Sequence, residues 1–388
     1  MAKSPLHGRR IHIAGSIDKN PLVASAEEAA HARDLVAQLV KALVKKGANF
    51  VIPADAEPLR ESDGLPICFD WTIWKALCDN LASRPSTVTG PFAVAVQHYK
   101  NEEQIPPEYV ELWDNLRSGS LVEVENAAHW NMASKRMEAQ ARHGDILITL
   151  GGTEGVLYLA NLYHAAGKPV IPLNFELCSE TTGSRRLYSY GLTSNQTPRL
   201  FRTLGEHSPH AWINRIRFPK RQGLAERVEV LVDLLEDLEP PRAFAVRLLN
   251  PDLPEFRFVE DHFETVVKPI IEGELGYRLI VIDGQQGFDH ARVDEEIFAK
   301  LHRSSVVLAD LTASRPNCFL ELGYALGRSL PTMVMAQKGT SLPFDITTLS
   351  GHLWDAKGTL KERKDAFRTH WNAIRNRPPL VPSEPLIS

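Results

Sequence analysis

Cysteine is scarce in this chain: four occur in 388 residues (Cys68, Cys78, Cys178, Cys318), and no two stand at the C-x-x-C spacing of a zinc or redox centre. They read as reduced, buried thiols of a cytoplasmic protein rather than as a disulfide framework. Long apolar runs are missing as well, since none approaches the roughly 20 residues needed to cross a bilayer. The opening MAKSPLHGRRIHIAGS has basic residues but no apolar h-region, so no signal peptide is expected. Charge of one sign is not in excess either. With 48 acidic residues against 44 Lys plus Arg the net charge is −4, which gives no general attraction to nucleic acid or anionic lipid. Internal repeats and low-complexity segments are absent. What remains, 43% hydrophobic and 24% charged residues, is a globular composition that excludes collagen, coiled coil and disorder. At roughly 150 residues per domain, the length favours two domains.

The elements alternate. Ile11–Ala14 is a short apolar run ending in Gly15-Ser16. A helix follows, with Leu35, Leu39, Leu43 and Val36, Val40, Val44 stacked four apart, and it stops at Lys45-Lys46-Gly47. Phe50–Ile52 resumes as a strand and breaks at Pro53. Phe92–Val96 reads as a strand, Pro107–Arg117 as a helix and Leu121–His143 as one longer helix. Asp145–Leu150 is a strand running into Gly151-Gly152-Thr153-Glu154-Gly155, followed by a helix (Val156–Ala166) and a strand (Pro169–Leu173). Val228–Leu238 is an amphipathic helix that ends at Glu239-Pro240-Pro241, where a double proline can continue neither helix nor sheet.

Beyond it a second series begins. Ala243–Leu248, Arg278–Ile282, Val306–Ala309 and Thr332–Ala336 read as strands. Glu260–Glu272, with Pro269 breaking or kinking it near its end, Val293–Arg303, Asn317–Arg328 and Lys361–Ile374 read as helices. The expected fold class is α/β, two doubly wound (Rossmann-like or flavodoxin-like) parallel-sheet domains in tandem. The expected boundaries are 1–218 for the first domain, 219–240 for a helical linker and 241–388 for the second domain.

Two loops carry chemistry. In the second half a buried strand delivers Asp310 at its carboxyl end, where open α/β sheets bind ligands. Asn317 is placed to cap the next helix, and Glu321 lies four residues on, on the same face. Glu321 sits among Phe319, Leu320 and Leu322, a setting costly for a carboxylate without a partner or a task; a Glu favoured by the helix dipole is the alternative. In the first half, Gly151-Gly152-Thr153-Glu154-Gly155 joins a strand to a helix N-terminus, where backbone amides can cradle phosphate. Gly15-Ser16 can form the opposite wall, and the alternative is a tight turn without a ligand.

The run ADLTASRPNCFLELGYALG (Ala309–Gly327) resembles the ADLT…PN-x-(F/Y)-x-ELGYA signature of the TIR-like and nucleoside 2-deoxyribosyltransferase-like families. Agreement continues in Phe244–Asn250, Phe263–Gly276, Asp294–Ser305 and the LPFD at Leu342–Asp345. The resemblance implies that Glu321 is the carboxylate that breaks an N-glycosidic bond. Asp310 and Asn317 are then placed around base and ribose, and Asp289 and Asp294 can add polar contacts from the end of the second strand, with helix capping or loop solvation as the alternative for each. Cleavage passes through an oxocarbenium-like centre that a carboxylate can stabilise or attack.

The first half, through IHIAGS, GANFVIPAD and GDILITLGGTEGVLYLANLYHAAGKPVIPL, is similar to SLOG domains, which include nucleotide phosphoribohydrolases and sensors of antiphage systems. Tyr158 and Leu159 stand where the hydrolase branch has an acid. The resemblance therefore implies ligand binding rather than catalysis here, by Gly15, Ser16, Gly151, Gly152, Thr153, Glu154 and Gly155, with Arg185 and Arg186 as phosphate contacts. Together these imply a cytoplasmic, signal-gated NAD nucleosidase of an antiphage system. Its messenger would be nucleotide-derived, such as a cyclic ADP-ribose isomer. It would need no cofactor and no metal (NAD being substrate), would act away from nucleic acid and membrane, and would be a homo-oligomer. An N-glycosidase or deoxyribosyltransferase acting on other nucleotides, and a non-catalytic nucleotide sensor, remain open.

Overall fold

A computed structural model describes residues 4–88, 90–97, 102–126, 132–193, 200–204, 211–219, 221–282, 293–349 and 351–374. The chain divides into two compact units, Met1–Glu239 and Pro240–Ile387. Each is a parallel α/β sheet with helices interleaved between strands.

The first unit has six strands: β1 (Arg10–Ser16), β2 (Asn49–Pro53), β3 (Ala93–Gln97), β4 (Val122–Asn126), β5 (Ile146–Gly151) and β6 (Val170–Leu173). Their order is β4-β3-β2-β1-β5-β6, and every pairing is parallel. The central strands are buried along their length, as near-continuous apolar runs covered on both faces must be. Order reverses between β1 and β5, so their carboxyl ends open the crevice where such sheets take ligands. Helix α1 (Ala26–Lys45) follows β1. Ser25 caps it by accepting the Glu28 N–H at 3.1 Å, and its Leu and Val stripe is buried.

The segment 121–143, expected as one helix, is instead the edge strand β4 and a separate helix. The alternation of Val122 and Val124 with Glu123 and Glu125 has the period of a strand, and β3 supplies the ladder. The helices of this unit after α1 are α2 (Asp70–Asn80), α3 (Pro107–Ser118), α4 (Met132–His143), α5 (Glu154–Ala165), α6 (Gly183–Thr193) and α7 (Leu224–Glu236). Helix α7 falls within the segment expected to be a linker. Its Leu231, Val232, Leu234 and Leu235 belong to the core of the first unit, and Glu236 is held by Lys46 at 2.8 Å and Ser4 at 2.6 Å.

The second unit orders its strands β11-β10-β9-β7-β8, all parallel: β7 (Arg242–Val246), β8 (Arg278–Ile280), β9 (Val306–Asp310), β10 (Thr332–Gln337) and β11 (His352–Trp354). Reversal here falls between β7 and β9. Helix α8 (Phe256–His262) continues through π-helical turns at Phe263–Val267 and Pro269–Glu274, so Pro269 does not end it. A widened turn accommodates a residue that has no N–H to give. The remaining helices are α9 (Val293–His302), α10 (Pro316–Gly327) and α11 (Leu360–Ile374). No helix among the described residues is long and apolar enough to cross a membrane.

If α7 is core, Leu231→Ala removes a fully buried side chain and should cost the first unit about 3 kcal/mol. Equilibrium denaturation of the full chain measures this, and a change typical of an exposed linker would contradict the assignment.

Candidate functional sites

At the first switch point the backbone alone forces glycine. A Cβ on Gly15 would meet the Leu150 carbonyl oxygen at 1.7 Å. Gly152 has φ +80°, and its Cβ would lie 2.3 Å from the Val156 side chain. The Gly152 N–H, one of those expected to receive phosphate, already donates to the Ser16 carbonyl at 2.8 Å. The amides left for an anion are those of the opening turn of α5, behind Thr153, Glu154 and Gly155, all three exposed. A side chain at Gly155 would meet open space, so its glycine is not dictated by packing.

A cavity of about 210 Å³ opens here. It is lined by Gly15, Ser16, Thr153 and Gly155, but also by Asp70, Arg136 and Gln140. Ala133, Arg136, Met137 and Gln140 recur at helical spacing and present one face of α4 to it. Tyr163 sets that helix: its hydroxyl donates to the Gln140 carbonyl at 3.2 Å and meets His12 Nδ1 at 3.1 Å. Burial drives the His12 pKa down to about 3, so the imidazole is neutral. Arg136 is paired with Asp55, just past β2. Burial raises the Asp70 carboxyl to about 7, against the pull of Arg136 and with help from Asp55 and Glu57.

The two arginines expected to take phosphate differ in their surroundings. Arg185 donates to the Cys178 carbonyl at 3.1 Å and to Glu180 at 2.9 Å, which fastens the loop before α6. Arg186 is exposed and stands 3.7 Å from the exposed Glu154 at the mouth of the turn. Asp70, Arg136 and Gln140 escaped sequence reasoning because they come from segments far from either glycine turn. For Arg136 and Gln140 the available signal was their helical spacing with Ala133 and Met137; Asp70, on α2, had no such signal.

In the second unit, Asp310 ends β9 fully buried. One carboxylate oxygen accepts the Thr312 N–H at 3.0 Å and the other the Trp354 indole N–H at 2.7 Å. Burial still raises its pKa, with the two hydrogen bonds opposing. Both oxygens are committed, so Asp310 ties β9 to β11 and shapes the following turn; the expected ligand contact does not fit a carboxylate so enclosed. Trp354 in turn stacks on neutral His262 at 4.3 Å between ring centroids. The turn carries positive φ at Ala313 (63°) and Ser314 (49°), held by Ser314 Oγ donating to the Ser341 carbonyl at 2.6 Å.

Helix α10 starts at Pro316, and Arg315 is its N-cap residue, so Asn317 is not the cap. Pro fits the first helical position because the missing N–H would be unpaired there. Asn317 is exposed one turn ahead of Glu321. Cys318, Leu322 and Ala325 form the buried stripe of α10, and Glu321 lies at its margin, half-buried. Among the described residues it makes no hydrogen bond or ion pair, and burial raises its carboxyl to about 7. Its charge is one cause, after burial, of the Cys318 thiol standing at about 12. Asp289 lies outside the described residues, as does the side chain of Asp294. All four thiols are free, and no three described His, Cys, Asp or Glu side chains are grouped to hold a metal.

Two parallel sheets with polar residues gathered at the carboxyl ends of their strands define a tandem doubly wound α/β protein. A family model described as "ATP nucleosidase Cap17-like, N-terminal" matches residues 6–235. That is more than half of the chain, which therefore belongs to this family of nucleosidase-type proteins. The matched residues fall within the first unit. No curated protein matches. Among solved structures, the structural-genomics target TM1055 is 19% identical, with 47% of this chain and 81% of that chain covered and a TM-score of 0.28. DNA processing protein A from Helicobacter pylori, described with its single-stranded DNA binding mode, is 14% identical, covering 54% and 80% at a TM-score of 0.30. Likenesses this low carry no argument.

Trp354→Phe keeps the ring but removes the N–H from a buried carboxylate, and should cost the second unit about 1.5–3 kcal/mol. An unchanged melting temperature would detach Trp354 from Asp310. Glu321 gives a second, signed prediction. Its folded pKa of about 7 lies above the ordinary 4.5, so its stability contribution is full below 4.5 and lost as pH rises through 7. Glu321→Gln should therefore melt higher than the wild type at pH 8, with the gap closing towards pH 5, as scanning calorimetry would show.

Proposed function

We propose that the protein is a ligand-gated nucleotide N-glycosidase. The first unit binds a nucleotide-derived ligand at the β1/β5 crevice, and the second cleaves the bond between C1′ and the base through Glu321. The observation that carries this reading is Glu321 itself. It is half-buried at the margin of α10, is unpaired among the described residues, and titrates near 7. A carboxyl near neutrality serves as a general acid at physiological pH.

An adenine nucleotide suits such an acid. Adenine is a poor leaving group until one of its ring nitrogens is protonated. Glu321 donates that proton as the C1′–N bond breaks, the bond's electron pair stays with the base, water adds at C1′, and the proton that water gives up returns to the Glu321 carboxylate. Products are free adenine and the ribose phosphate. The family's description as ATP nucleosidase points the same way. NAD is the second reading, supported by the ADLT…ELGYA resemblance of Ala309–Gly327. Nicotinamide departs neutral from a cation, so there Glu321 is needed as the carboxylate that stabilises the developing charge.

Gating is a population shift, the ligand binding the active arrangement more tightly than the resting one. Assembly into a homo-oligomer completes the site, with Leu320, 63% exposed beside Glu321, offered to a second copy. Antiphage defence by nucleotide depletion is the biological role this reading implies.

The test is product chromatography after incubation with ATP and, separately, NAD, each with and without cyclic ADP-ribose isomers. Adenine or nicotinamide should appear, and Glu321→Gln should lower the rate by about 10²-fold or more. Undiminished cleavage by that variant removes Glu321 from the chemistry. The sign of the pH dependence separates the substrates. Acid-assisted release of adenine falls as pH rises through about 7, whereas release of nicotinamide by the carboxylate rises over the same interval.

A further inference from the structure

The inner wall of the cavity in the first unit has a chemistry of its own, which deepens the ligand-binding reading above and rests on it. Gln140 is only 4% exposed, yet among the described residues its side-chain amide has no hydrogen-bond partner, and it lines the cavity. Asp70, on the first turn of α2, faces the same space and likewise has no hydrogen-bond partner among the described residues. An unpartnered amide on a cavity wall is open to hydrogen bonding by whatever occupies the cavity. Arg136 is the cation on this wall, and Asp55 already neutralises it. The wall therefore offers a carboxyl, an amide and no uncommitted positive charge. Phosphate is repelled by that combination. Hydroxyl groups, which both donate and accept, match it.

The opposite wall is different. Gly15, Ser16 and the opening turn of α5 present main chain and a helix N-terminus of 12 residues, the environment suited to an anion. Met137, Val156 and Leu159 supply an apolar side between the two. In open α/β sheets an acid just past the second strand commonly takes the ribose hydroxyls. Asp55 occupies that place here but is spent on Arg136, and Asp70 follows it on the next element.

We infer that this wall reads the sugar of the bound nucleotide: Asp70 accepts from the ribose hydroxyls, Gln140 completes the contact, and the phosphates lie at the opening turn of α5. The ligand class is a ribonucleotide with a free 2′,3′-diol. The groups that set the charge of Asp70 are Arg136 on α4 and Asp55 and Glu57 on the segment after β2. Cys68, just before α2, is pushed to about 12 and stays a neutral thiol.

The experiment is titration calorimetry on the full chain carrying Glu321→Gln to prevent turnover, with ATP, 2′-deoxy-ATP, 3′-deoxy-ATP and inosine triphosphate as probes. At pH 8, where the Asp70 carboxyl is mostly ionised, loss of either hydroxyl should weaken binding by about tenfold or more, the worth of a hydrogen bond to a charged group. Inosine triphosphate should bind within about threefold of ATP, since its sugar is intact. Adding Asp70→Asn, a near-isosteric change, should abolish the discrimination between ATP and the deoxy analogues. A Gly155→Arg variant, whose added side chain meets open space at the cavity wall, assigns the heat, because binding that survives it comes from elsewhere in the chain.

Equal binding of ATP and both deoxy analogues overturns the inference, as does discrimination that persists in Asp70→Asn. Selective loss of inosine triphosphate would give the wall to the base amine instead. Absence of any Gly155-dependent heat would sink the ligand-binding reading of the first unit as a whole, a failure distinct from the loss of sugar discrimination alone.

Discussion

The close approach of β1 and β5 is the constraint on which the first unit is arranged. Gly15 lies so near the Leu150 carbonyl that no side chain fits, and the Gly152 N–H closes onto the Ser16 carbonyl. Joining the two strand ends in this way turns the chain sharply into α5 and leaves the amides of that helix's opening turn facing the crevice. It also uses up one donor of the glycine turn. The result is a shared scaffold with a polar mouth, into which α2 and α4 bring side chains from well-separated parts of the chain.

The second unit solves a related problem with carboxylates. Asp310 and Glu321 are eleven positions apart and both are pushed up by burial, but they have opposite fates. Asp310 has both oxygens tied, one to the turn that follows and one to Trp354, and so acts as a fastening between strands. Glu321 has no tie among the described residues. A buried acid with satisfied oxygens is structural, whereas one without satisfaction is available for chemistry, and hydrogen bonding rather than residue type separates the two.

Much of this was legible in the sequence where periodicity was long and punctuated. The stripe of Leu and Val four apart, with Lys45-Lys46-Gly47 after it, corresponds to α1, and the apolar run into Gly151-Gly152 to β5 and its turn. Short elements were less legible. Val122–Asn126 was merged into the following helix because four alternating residues are a weak signal until β3 lies alongside. The three residues of β11 have no pattern of their own, and α2 spans only eleven residues with no side-chain cap to mark its start. Asn317 looked like a cap, but Pro316 moves the start of the helix one position earlier.

The sequence by itself determined the α/β class, the two series of elements and the position of Glu321 one turn after Asn317, because these depend on neighbours within a few residues. Tertiary structure alone decided that α7 is core, that Asp310 and Arg185 are occupied, and that Asp70, Arg136 and Gln140 share one cavity. Partners in those contacts are supplied by elements distant along the chain, and local spacing carries no information about which distant group will arrive. The physical state of a carboxyl follows from that arrival, since burial and hydrogen bonds, not the side chain's own chemistry, fix whether it is a strut or a reagent.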